Sequence, residues 1–193
     1  TLRISAVQTA VPQSVRGAWL ASERLKTMEQ LVELSKDASQ AVPRPDVVVW
    51  PETLFPGDTL GEEAASIERD ADLIWLEPDV GERPAFQNLV WRGRDGTREP
   101  TLVPRMAIDG ERRFMSSMVC YDTLLFWQGV FDVPMLIGAD GLVDLSIAMD
   151  EQDRPVVDFA ARYNSVHLLQ DGRVEPGRYD KQHLTPFGEV MPV

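Results

Sequence analysis

The chain has 193 residues and carries 19 Lys and Arg against 31 Asp and Glu, a net charge of −12. A chain this long buries roughly 70% of its unfolded surface, enough for a domain with a real core. The acidic balance excludes a nucleic-acid partner, which would need a basic face, and no run approaches the ~20 apolar residues of a membrane span. One cysteine, Cys120, excludes a disulfide framework and any multi-cysteine metal site. The two histidines, His167 and His183, have no companion at metal-ligand spacing, so neither a metal nor another cofactor is expected.

Leu2 to Gln8 alternates apolar and polar residues and runs toward Pro12, as a strand leaving a sheet does. From Gly17 to Gln40, Leu25, Met28, Leu31 and Val32 recur on one helical face, and Pro43 and Pro45 close the segment. Asp46 to Trp50 is a valine-rich run suited to a central strand, and Pro51 stops it at Glu52. This β-α-β opening favours a layered α/β fold.

Residues 57–110 hold many acids, prolines and glycines. The segment is expected to be an elaborated excursion with structure of its own, because a bare loop of that length inside a domain is unusual. Within it, residues 72–76 and 86–91 read as short strands. The spacing of Met115, Met118, Val119 and Leu125 predicts a helix over 114–130, followed by a strand at 133–138. The last third reads as a β-meander, with strands at 142–148, 158–169 and 174–181. Asp171-Gly172 supplies the hairpin signal between the last two.

The chain ends in Tyr179-Asp180-Lys181-Gln182-His183-Leu184-Thr185-Pro186-Phe187-Gly188-Glu189 and four further residues. Pro186 and Gly188 fix a bend that holds charged side chains toward a common point. A carboxylate at the mouth of one strand, Glu52, and an ammonium at the mouth of another, Lys181, form a candidate catalytic pair. Three further stretches accompany this pair: Ala6-Val7-Gln8 with Gln13 and Trp19, Pro134-Met135-Leu136-Ile137-Gly138, and Tyr163-Asn164-Ser165.

Together with Val48-Val49-Trp50-Pro51-Glu52-Thr53, these stretches resemble the nitrilase (carbon–nitrogen hydrolase) superfamily, and within it the periplasmic domain of the apolipoprotein N-acyltransferases. The resemblance covers about half the chain, at its two ends, and leaves residues 57–130 unmatched. It implies a four-layer α-β-β-α sandwich, here incomplete at the C-terminal end, with residues 1–193 as its N-terminal two-thirds and an excursion at about 57–130. It implies Glu52 as general base, Lys181 beside the oxyanion and Glu189 as a second carboxylate. Trp19 and Asn164 are implied on the substrate side.

The implied reaction moves a phospholipid acyl chain through a cysteine thioester to the N-terminal amine of an apolipoprotein. The implied setting is the bacterial inner membrane, with this domain facing the periplasm and the membrane reached through segments outside the chain. The nucleophilic cysteine is expected beyond Val193, with this segment alone inactive. Cys120, which precedes the lysine motif, is expected to be a small buried hydrophobe. A soluble amidase of the same superfamily and a non-catalytic binding module on the same fold remain alternatives.

Overall fold

The computed structural model describes residues 1–9, 21–52, 54–71, 73–77, 107–109, 112–149, 151 and 155–182. Its centre is a six-stranded mixed sheet. Strands β1 (Ile4–Ala6), β2 (Val47–Val49) and β6 (Met135–Val143) run parallel. Strand β9 (Ala161–Gln170) adds antiparallel to β6, and both β10 (Arg173–Val174) and β11 (Tyr179–Asp180) pair back onto β9.

Side chains alternate across a strand, so the register sorts them into two faces. Val48, Met135, Ile137 and Leu169 point to one face and are buried. Helix α1 (Ala21–Ser39) lays Met28, Leu31 and Val32 on that face, and helix α3 (Val119–Phe131) lays Leu124, Trp127 and Phe131 there. Burying side chains of this size contributes about 1.5–3 kcal/mol each. The other face carries Ile4, Val166, Leu168 and Tyr179, all exposed. The architecture is mixed α/β, consistent with an incomplete α/β sandwich.

The elaborated middle contains helix α2 (Glu62–Asp70) and an antiparallel three-stranded sheet, ordered β3 (Ile74–Glu77), β5 (Arg112–Ser116), β4 (Ala107–Asp109). A separate hairpin pairs β7 (Ser146–Met149) with β8 (Pro155–Asp158). No described helix is long and apolar enough to cross a membrane.

Several expectations are corrected here. The predicted helix at 114–130 is a strand up to Ser116 and a helix only from Val119, because residues 112–116 pair with β3 on one side and β4 on the other. The predicted strand at 142–148 is two strands, broken where Asp144 takes a left-handed φ of 52°. The return strand at 174–181 is also interrupted, by Pro176 and by Gly177 at φ 90°. The Asp171-Gly172 hairpin has both residues at positive φ, 52° and 74°, as a tight turn of that type requires. The strand expected at 86–91 lies outside the described residues.

Candidate active site

The chain crosses itself at the C-terminal end of β2. Trp50 N donates to Leu136 O at 2.9 Å and Phe55 N to Gly138 O at 3.2 Å, so the intervening bend arches over β6. Gly138 lies directly beneath it. A Cβ there would meet Glu52 Cα at 2.8 Å and the Pro51 carbonyl oxygen closer still. Only glycine lets the backbone pass this near. The bend turns Glu52 toward Asn164, which lies opposite Asp140 within the β6–β9 register.

Lys181 arrives from the other side. It follows β11, and its backbone N donates to Asn164 O at 2.9 Å. Its Nζ lies 2.9 Å from Glu52 Oε1, across 129 residues of sequence. The Asn164 side chain donates to the same oxygen at 2.8 Å. Asn164 therefore holds Lys181 by its carbonyl and Glu52 by its amide. Both of these hydrogen bonds fall on Oε1 of Glu52 and leave its second carboxylate oxygen, Oε2, outside them. The Glu52 side chain is 51% exposed and that of Lys181 25%.

Thus three of the five sequence-predicted site residues, Glu52, Lys181 and Asn164, come together. Trp19 and Glu189 lie outside the described residues. The sequence reading carried Gly138 only as the last residue of the Pro134–Gly138 stretch and gave it no role at the site. It also missed the Asp140–Arg162 ion pair at 2.7 Å next to Asn164. Among the described residues no cluster of His, Cys, Asp and Glu has the makings of a metal site.

Cys120 is elsewhere. It is fully buried in the first turn of α3 and belongs to the helix-covered core. Burial, the largest influence, pushes its thiol pKa well up, and the charges nearest it are Arg24, Asp58 and Glu68 rather than Glu52 or Lys181. A thiol held protonated in an apolar core is a poor nucleophile.

A carboxylate and an ammonium fixed on one another at the ends of different strands can take a proton and steady a developing oxyanion. A 56-residue segment, 28% of this chain, is 39% identical to the apolipoprotein N-acyltransferases of Brucella suis biovar 1 and Brucella melitensis biotype 1. The likeness is to part of an acyltransferase. The matched segment covers only 10% of the length of each relative. No family model matches the chain.

Proposed function

We propose that this chain forms part of an acyltransferase site of the nitrilase type, acting on a phospholipid acyl donor and an apolipoprotein amine in a bacterial inner membrane, on its periplasmic side. One observation carries the reading: Glu52 and Lys181, 129 residues apart, meet at 2.9 Å with Asn164 bridging them. The partial likeness to apolipoprotein N-acyltransferases supports it.

In this reading Glu52 Oε2 takes the proton of a cysteine thiol supplied from outside these 193 residues. The thiolate attacks the ester carbonyl of the donor, and Lys181 stabilises the negative charge that builds on oxygen. The tetrahedral intermediate expels the lysophospholipid alkoxide, which takes back the proton from Glu52, and leaves a thioester. The acceptor amine then attacks the thioester, giving an amide and restoring the thiol. Glu189 and Trp19 are assigned to the same site by their motifs.

The test is acyl transfer from a labelled phospholipid to a diacylglyceryl-cysteine peptide by the full-length protein. Glu52→Gln and Lys181→Met are each expected to lower the rate by about 10²–10³-fold, with Cys120→Ala near wild type. Full activity in Glu52→Gln, or loss of activity confined to Cys120→Ala, overturns the assignment. Turnover of small amides with no transfer to the peptide would point to an amidase instead.

A further inference from the structure

Strand β11 is two residues long and, among the described residues, pairs only with β9, yet it delivers Lys181. So short a strand opens readily if its backbone ladder alone holds it. A side-chain cluster holds it further, on the face of the sheet away from the Glu52–Lys181 pair. Neighbours along a strand point to opposite faces, so Ser165 turns away from the side that Asn164 takes. Asp180 lies across from Ser165 in the β9–β11 register. Ser165 Oγ donates to Asp180 Oδ1 at 2.5 Å, and Arg178 Nε donates to the same oxygen at 2.8 Å. Arg178 Nη1 also donates to Leu142 O at 3.2 Å, so the cluster ties β11 to both β9 and β6. Ser165 is buried, and the Arg178 and Asp180 side chains are 23% and 29% exposed. Gly141 on β6 leaves the room for them. A Cβ there would overlap Ser165 Oγ and come within 2.9 Å of Arg178 Nε.

We propose that Asp180 is the positioning residue for Lys181: held by Ser165 and Arg178, it fixes the short strand whose next residue sets the ammonium on Glu52. The proposal deepens the acyl-transfer reading and rests on it only for what the ammonium then does. An ion pair this open to solvent orders a long, flexible lysine weakly, so the order has to come from the backbone behind it. Lys181 N bonded to Asn164 O is one hold on that backbone. Asp180, one peptide unit before it, is the other.

The cluster is charged at neutral pH. Burial, the largest single influence, pushes the Asp180 carboxyl up, but the Ser165 hydroxyl and the Arg178 guanidinium together bring it below the ordinary aspartate value. Both hydrogen bonds nevertheless fall on one oxygen, Oδ1. An amide oxygen in the same place accepts both, so geometry rather than charge is what Asp180 supplies.

The experiment treats the full-length protein with a water-soluble carbodiimide, which joins a touching carboxylate and amine as an amide, and measures the Glu52–Lys181 cross-linked peptide by mass spectrometry. Acyl-transfer kinetics are run on the same variants. Asp180→Ala is expected to lower the cross-link roughly fivefold and kcat roughly tenfold at unchanged KM, the effect of a displaced catalytic group. Asp180→Asn, which keeps the acceptor, is expected to retain most of both. Arg178→Met is expected to follow Asp180→Ala and decides the matter if that variant does not fold. Leu25→Ala, a core truncation in α1 outside the cluster, is expected to lower the unfolding midpoint and leave the cross-link unchanged. A wild-type cross-link in both Asp180→Ala and Arg178→Met overturns the proposal, as does an equal loss in Asp180→Asn and Asp180→Ala or a matching loss in Leu25→Ala. Absence of the cross-link from the wild-type protein overturns it too. A cross-link that falls while transfer is unchanged upholds the positioning role and removes Lys181 from the reaction, so the two readings fail separately.

Discussion

At the level of single residues, an ion pair as open to solvent as Glu52–Lys181 contributes about 0–1 kcal/mol to stability. Lys181→Met should therefore leave the urea unfolding midpoint nearly unchanged while it removes activity. A midpoint shift worth more than about 2 kcal/mol would mark the pair as structural. Gly138 is different, because it sets where Glu52 sits. Gly138→Ala is expected to cost about 1–3 kcal/mol as the bend lifts off β6, and to lower activity as far as Glu52→Gln does. Wild-type activity in Gly138→Ala would show that the bend can move without carrying the carboxylate away. Glu52 and Lys181 were legible in the sequence because proline and glycine punctuate the strands that deliver them. Asn164 was legible only through its motif, since its role depends on the register of β9. Glu68 gave no signal, being one carboxylate among many in a polar helix.

Among the elements, two buried polar contacts tie helices to the sheet. Trp50 Nε1 donates to Ser35 Oγ at 2.8 Å, locking α1 to the end of β2. The Gln128 side chain donates to Val133 O at 3.1 Å and accepts from Gly172 N at 2.6 Å, so it joins the end of α3 to the β9–β10 turn. Ser35→Ala strands the indole N–H in the core and is expected to destabilise by about 1–3 kcal/mol in chemical denaturation; a loss under about 0.3 kcal/mol would show that the indole finds another acceptor. The helix α1 and the strands β1 and β2 were readable because their apolar periods match their geometry. The strand β5 was misread because Met115, Met118, Val119 and Leu125 fit a helical spacing. What decides it is pairing with β3 and β4, a non-local fact that no local period reveals. Helix α2 was missed for the opposite reason: its buried positions are Ala64, Ala65 and Glu68, too small and too polar to mark an apolar face.

For the molecule as a whole, two buried titratable groups pull pH dependence in opposite directions. Burial lowers the His167 pKa to about 4, with Arg178 adding to the effect and Asp180 opposing it. The unfolded chain then holds more protons between pH 4 and 6.5, so His167 reduces stability as pH falls through that window. Glu68, raised to about 7, makes the folded chain hold more protons between pH 4.5 and 7, so it reduces stability as pH rises. Each amounts to something on the order of 3 kcal/mol. As far as these two groups set it, the wild-type chain should show a nearly flat unfolding midpoint from pH 4.5 to 6.5, and Glu68→Gln a midpoint that climbs with pH. A flat profile in the variant would show that His167 does not titrate as its surroundings imply. At this scale the α/β character followed from the sequence, whereas the second, exposed face of the sheet did not, because a valine-rich strand reads the same whether one side or both are covered. The tether through Asn164 has a last consequence. Since one residue of β9 grips both charged partners, they travel together like the jaws of a clamp on a single spindle. A substrate that pries them apart must bend a strand laced to three neighbours rather than spin a free side chain.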